Sequence, residues 1–311
     1  MAVIPSIGAA LMGATWIKDI RTWPAPAPED DGVSLLIEAL QEVGGPIGLP
    51  SHLGTAPRMP LADLEAVKAQ SGLTFTGDKK IVASLRAIKS EAEIAKIART
   101  CAIAGRAFGR MGEIAAPGTP LAQVFRDFQR LLLEEGADWV PYLAGGAGPE
   151  GYADVISPAS EVPLAAGDVL MLDTGAVWDG YFCDYDRNFA IGHAGDTPCA
   201  AHARLIEATQ AGLDAAQPGV RASDVWRAMA DVVGGGEDAG RFGHGLGMQL
   251  TEGLSLTSGD QTVLRPGMVI TLEPGIETAS GRIMVHEENI VITDGAPQAL
   301  SPLATVDLPV I

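Results

Sequence analysis

One segment of the 311-residue chain recurs 100 residues further on. Gly167-Asp-Val-Leu-Met-Leu-Asp-Thr-Gly-Ala176 matches Gly267-Met-Val-Ile-Thr-Leu-Glu-Pro-Gly-Ile276. Each copy is a glycine, an apolar strand, an acid, one residue and a second glycine. Two copies this far apart exclude a solenoid and mark two related halves, each ending a buried strand on an acid. Local turn signals extend the pattern. Asp179-Gly180 is a two-residue hairpin turn that sets Asp173 opposite Asp186, with Asp184 two positions along on the same face. Ala279-Ser280-Gly281 suits a three-residue loop with glycine in the left-handed position, and it sets Glu273 opposite Glu287.

Asp173, Asp184, Glu273 and Glu287, brought together by such halves, cannot all stay ionised without a counter-charge. Divalent metal supplies it, and a four-acid cluster has room for two ions and a bridging water. The plainer reading makes each acid a solvated hairpin residue, but it does not account for two matched, strand-flanked pairs. His244, set among glycines in Gly240-Arg-Phe-Gly-His-Gly-Leu-Gly-Met248, is the fifth candidate ligand. His52, His193 and His202 have no acidic partner pattern and are expected at the surface. His286 faces the opposite side of its strand from Glu287, either supporting the site or contacting substrate.

Helical spacing organises the rest. Val33, Leu36, Leu40 and Val43 mark a helix stopped by Gly44-Gly45, Ile47 to Pro50 a short strand, and Pro60 to Gln70 a second helix. Ser90 and Glu93 form a capping box ahead of Ile94, Ile97, Cys101, Ala104 and Phe108. Further helices are expected from Thr119-Pro120 to Gly136, from Ala201 to Ala215, and from Ser223, as N-cap, to Val233. The apolar opening, Met1 to Trp16, has no basic residue before Lys18, so it is expected as buried structure and not as a signal peptide. The formal charge of −18 opposes binding to nucleic acid or anionic membranes. No apolar run reaches the roughly eighteen residues of a membrane span. Three cysteines without a CxxC pair make a disulfide framework unlikely to form, so a cytoplasmic location is expected.

These residues resemble the pita-bread metallopeptidases, the family of aminopeptidase P, prolidase, methionine aminopeptidase and the metal-free creatinase. The family's metal ligands run Asp, Asp, His, Glu, Glu along the chain. The matching positions are Asp173 of the D-x-G strand, Asp184 of Gly180-Tyr-Phe-Cys-Asp184, His244 of the GHGxG segment, Glu273 of T-x-EPG and Glu287 of the final EExIVxT strand. Arg187 matches an arginine that clamps the carboxylates from behind. The resemblance covers residue 82 onward and implies an α+β pita-bread catalytic domain with pseudo-two-fold halves over 81–311. A shortened creatinase-type α/β domain over 1–80 precedes it, of a kind that often helps build a homodimer.

The resemblance further implies a hydrolase using two divalent ions, with Mn expected first and Co, Fe or Zn compatible. A metal-bridging hydroxide would cleave an Xaa-Pro peptide bond, with Glu273 as ligand and proton acceptor. The chain departs from the peptidase pattern at two accessory histidines. One, seven residues after the ligand histidine, is Thr251 here, which can donate a hydrogen bond to substrate; the other falls at Ile156-Ser157-Pro158. Losing an oxyanion donor costs about 2.7–4 kcal/mol of barrier. Two alternatives follow. One is a non-peptidase of the same fold acting on a small solute, such as a dimethylsulfoniopropionate lyase or an amidine or cyclic amide hydrolase. The other is a catalytically silent binding module.

Overall fold

The computed structural model describes residues 1–311 apart from Leu53, Ser157, Glu237 and Asp238. The chain divides into two compact units, Met1–Ala83 and Ser84–Ile311. In the first, β1 (Ala2–Pro5) is followed by α1 (Ala9–Gly13) and pairs in parallel with β2 (Ile20–Trp23). Next come α2 (Val33–Val43), β3 (Ile47–Leu49), α3 (Leu61–Ser71) and β4 (Phe75–Gly77), with β3 and β4 paired in parallel and α2 packed on α3. Gly44 ends α2 at a φ of 70°. Among its described hydrophobic side chains, only Ile37, Ala39 and Val67 are fully buried.

The opening stretch corrects the expectation of burial. Ile7 is 92% exposed, Leu11 80% and Trp16 87%. The short helix α1 packs on β1 and β2, and none of its residues is buried.

The division falls within α4 (Ile81–Ala87). Beyond it, α5 (Glu91–Phe108) begins on the expected capping box: Ser90 Oγ accepts from the Glu93 N–H, and Glu93 Oε2 accepts from the Ser90 N–H at 2.7 Å. With α6 (Leu121–Glu134) it packs on a four-stranded sheet in which β6 (Asp168–Trp178) pairs antiparallel with β5 (Trp139–Pro149), β7 (Tyr181–Phe182) and β8 (Tyr185–Ala190). Ile97, Phe108, Phe128, Leu131, Leu170 and Leu172 fill that layer.

The other half repeats the scheme. Here α7 (Asp196–Ala215) and α8 (Ala222–Val233) cover a sheet built from β9 (Val269–Leu272), followed in the chain by the hairpin β10 (Gly275–Glu277) and β11 (Ile283–Val285). The strand β12 (Glu288–Val291) lies between β9 and β13 (Gln298–Ala299). Trp226, Met229, Ile270, Leu272 and Ile290 make its core. One expectation fails at α8. Arg221 occupies the N-cap without a side-chain bond, while Ser223 sits inside the first turn, buried, its hydroxyl accepting from Gln261 Nε2 at 3.4 Å.

Both hairpins have the anticipated register. Asp179 and Gly180 adopt φ values of 48° and 79°, and Asp173 pairs with Asp186. In the second, the Thr278 N–H donates to the Arg282 carbonyl across Ala279-Ser280-Gly281, with Gly281 at a φ of 73°. Leu272 pairs with Glu288 and Gly275 with Val285, so Glu273 and Glu287 stand across from one another.

Replacing Ser90 with alanine removes the cap of α5 and is expected to cost about 1 kcal/mol. A urea titration checks this as a lowered midpoint at unchanged slope.

Candidate metal centre

The two hairpins carry their acids to one place because β8 and β12 are stitched together. Asn289 Oδ1 accepts from the Asp184 N–H at 3.0 Å, and its Nδ2 donates to the Asp184 carbonyl. The Glu287 N–H donates to Asp186 Oδ1 at 3.2 Å, and Arg187 Nη1 donates to the Glu287 carbonyl at 3.1 Å. These bonds hold the Asp184 and Glu287 backbones while leaving their side chains free to point elsewhere.

His244 arrives on a loop anchored to β9. Its N–H donates to Thr271 Oγ1 at 3.1 Å, and its carbonyl accepts from the Thr271 N–H at 2.7 Å. Gly243 lies at a φ of 135°, and a Cβ there would overlap the Thr271 carbonyl, so only glycine permits the approach. The imidazole Nδ1 is 3.0 Å from the Gly245 carbonyl, which can only accept, so Nδ1 carries the proton. Burial pushes His244 below the ordinary histidine pKa. The neutral ring then presents the Nε2 lone pair to Asp184 Oδ2, 3.2 Å away. Ligand atoms of Asp184, His244 and Glu287 all lie within 4.8 Å of one another.

Asp173 and Glu273 border the same space. Tyr142 donates its hydroxyl proton to Asp173 Oδ2 at 2.9 Å, leaving Oδ1 buried and without a partner. The Glu273 N–H donates to the Phe242 carbonyl at 3.0 Å, which ties it to the His244 loop. Burial raises Asp173, Asp184 and Glu287 well above the ordinary carboxylate range, with repulsion between neighbouring acids adding to it. Burial raises Glu273 too, against the opposing pull of His244 and Arg241. Asp173 Oδ1, Glu287 Oε1 and Asp186 Oδ2 are all buried with no hydrogen-bond donor among the described residues. Unpartnered carboxylate oxygens around one neutral imidazole are what a divalent cation satisfies, so the donor set fits the group.

Two residues here escaped the sequence pattern. Asp186, itself buried, is a fifth acid at the edge of the cluster, and its pairing with Asp173 was the only signal for it. Tyr142, on β5, carries no motif at all.

His286 sits behind the cluster. Its Nδ1 is 3.5 Å from Asp186 Oδ1 and its Nε2 is 3.2 Å from Glu288 Oε1, so both ring nitrogens face carboxylates. It lines a separate cavity of about 50 Å³ with Thr209, Leu213, Glu288 and Leu303. Burial works against ionised Glu288, but Arg187, His286 and Ser301 hold its pKa at about 2. His202, expected at the surface, is buried on the inner side of α7, with Nε2 3.1 Å from the Thr305 carbonyl and its ring beside His286. Its place on the helix face packed against β10 and β11 decides this, which local sequence does not report. His193 is exposed and His52 half-buried. Thr251 Oγ1 lies 3.5 Å from His244 Nε2, at the mouth of the cluster. Of Ile156-Ser157-Pro158, Ile156 is exposed and Ser157 lies outside the described residues.

The chain matches the model of metallopeptidase family M24 over residues 95–294. It is 31% identical over 259 residues to the probable dipeptidase PepE of Mycobacterium tuberculosis, covering 80% of this chain and 68% of that one. It is 28% identical over 260 residues to the Xaa-Pro dipeptidase of Pyrococcus horikoshii, covering 80% of this chain and 72% of that one. The crystal structure of dipeptidase PepE from Mycobacterium ulcerans superposes with a TM-score of 0.82 at 26% identity, over 99% of this chain and 82% of that one. The chain therefore belongs to metallopeptidase family M24, with that family's pita-bread fold, and is a hydrolytic enzyme that depends on divalent metal. Among the described residues no helix is long and apolar enough to cross a membrane.

Raised carboxylate pKa values mean that the metal-free fold binds more protons than the unfolded chain. Its stability is therefore expected to fall as pH rises from the ordinary carboxylate range through the raised values. Adding Mn²⁺ at pH 6 is expected to release protons, seen calorimetrically as a binding enthalpy that changes with the buffer's ionisation enthalpy. In Asp184→Asn, bound metal is expected to fall by at least about tenfold in affinity, with the fold retained by circular dichroism.

Proposed function

We propose that the chain is an Xaa-Pro dipeptidase that uses two divalent ions, with Mn²⁺ as the first expectation. The observation that carries this reading is the cluster of Asp184 and Glu287 with a neutral His244, with Asp173 and Glu273 as its electrostatic neighbours and with unpartnered oxygens on Asp173 and Glu287. These five residues would hold the metal. When bound, such ions supply a water acidic enough to attack a carbonyl carbon near neutral pH.

The chain's own groups do the rest. Tyr142 holds one oxygen of Asp173, so the other is fixed in direction. The Gly245 carbonyl keeps the proton on His244 Nδ1 and so keeps Nε2 a ligand atom. Glu273, raised by burial, accepts the proton of the attacking water on its carboxylate and passes it to the departing proline nitrogen. Thr251, whose Oγ1 lies 3.5 Å from His244 Nε2, would donate its hydroxyl proton to the oxygen that gains charge as the carbonyl is attacked. The relatives carrying dipeptidase and Xaa-Pro dipeptidase names support the substrate class over the small-solute alternative.

The test is hydrolysis of a panel of Xaa-Pro and Xaa-Ala dipeptides by Mn²⁺-loaded protein, with amino-acid release quantified. Cleavage of Xaa-Pro members with kcat/KM at least about tenfold above the Xaa-Ala members is expected, with loss of activity on chelation. Metal-loaded protein that cleaves no dipeptide overturns the reading.

A further inference from the structure

A buried charge cluster lies beside the site without touching the metal ligands. Glu252 and Lys89 have side chains 6% and 3% exposed, and Lys89 Nζ is 2.9 Å from Glu252 Oε1. Arg86 pairs with the other oxygen, Oε2. Lys89 is itself fixed, because its N–H donates to the Gly267 carbonyl at 2.8 Å. Both carboxylate oxygens are thus taken by cations from one short segment of chain, and the direction of the Glu252 side chain is set.

The Glu252 backbone belongs to the loop that carries His244. The Glu252 N–H donates to the Gly245 carbonyl at 2.8 Å, the Gly245 N–H donates to the Leu254 carbonyl at 3.0 Å, and His244 bridges antiparallel to Ser255. Residues 246–251 form the tip of this loop, and Thr251 is the last residue before the anchored one. Two glycines make room for the anchor. A Cβ on Gly247 would overlap Glu252 Oε1 and lie 2.8 Å from Lys89 Cε, and a Cβ on Gly245 would overlap the Glu252 carbonyl. Stability alone does not call for such a device, since apolar residues of similar volume stabilise as well as a buried ion pair. An ion pair with both oxygens engaged adds direction.

We propose that Glu252, gripped by Lys89 and Arg86, is a positioning residue for the peptidase site that acts through Thr251, holding its hydroxyl beside His244 Nε2. This rests on the reading of the chain as a peptidase. A displacement of about 1 Å in a reacting geometry costs up to about a hundredfold in rate. The loss falls on kcat and spares KM, because the Thr251 contact strengthens as the carbonyl oxygen gains charge.

The experiment is a double-mutant cycle in Mn²⁺-loaded protein with an Xaa-Pro dipeptide. Thr251→Val and Glu252→Gln are each expected to lower kcat by about tenfold or more, with KM within about twofold. The double variant is expected to fall within about threefold of the worse single variant. Losses that multiply, or a fully active Glu252→Gln, overturn the proposal. Because Glu252→Gln removes the counter-charge that Lys89 and Arg86 share, Arg86→Met/Lys89→Met/Glu252→Leu serves as a second variant expected to keep the wild-type Tm. Wild-type Tm with kcat still reduced supports a positioning role, and recovery of kcat together with Tm overturns it. Wild-type protein that cleaves no dipeptide overturns the proposed function instead. Amide exchange across 244–252 in Arg86→Met/Lys89→Met/Glu252→Leu then decides the anchoring: faster exchange at unchanged Tm supports it, and unchanged exchange overturns it.

Discussion

Burying five carboxyl groups in one small volume is the constraint on which the rest of this structure depends. Asp173, Asp184, Asp186 and Glu287 are buried around His244, and the half-buried Glu273 has its carboxyl turned to them. Desolvation, with repulsion added, raises the pKa values of Asp173, Asp184, Glu273 and Glu287, so these groups hold protons where a loaded centre would hold cations. A scaffold that tolerates this must be rigid on every side of the cluster. Two antiparallel sheets, each backed by a helix pair, provide that rigidity, and Asn289 and Arg187 lock them together through the backbones of Asp184 and Glu287.

The same constraint explains the division of labour behind the centre. Glu288 is as buried as the acids of the cluster, yet its pKa is held at about 2, because Arg187, His286 and Ser301 surround it. Adjacent residues of one strand, Glu287 and Glu288, therefore have opposite electrostatics on opposite faces. One carboxylate is kept unsatisfied for a cation, and the other is fully engaged by protein groups. Lys89 and Arg86 play the corresponding part for Glu252 on the loop side, where glycines at 245 and 247 let the chain close in.

Much of the centre was legible in the sequence because its geometry is set by short-range chemistry. Asp179-Gly180 and Ala279-Ser280-Gly281 each admit few turn conformations, so register, and with it the facing of Asp173 and Glu287, followed from local rules. Ser90 and Glu93 were equally legible, since a capping box closes within four residues. What escaped was decided by distant partners. Tyr142 meets Asp173 across β5 and β6, and His202 is buried because α7 lies against β10 and β11. The exposed Ile7, Leu11 and Trp16 show the converse, an apolar stretch whose burial no local rule guarantees. At α8 a serine suited to capping lies two residues past the N-cap, which Arg221 takes with no side-chain bond.

The account stands or falls on where divalent metal binds. Crystals grown with Mn²⁺ and measured on both sides of the manganese absorption edge give that position directly. Anomalous density enclosed by Asp173, Asp184, His244, Glu273 and Glu287 is the expected result. Manganese-loaded crystals with no anomalous density inside that cluster, or with density only elsewhere on the protein, would contradict it.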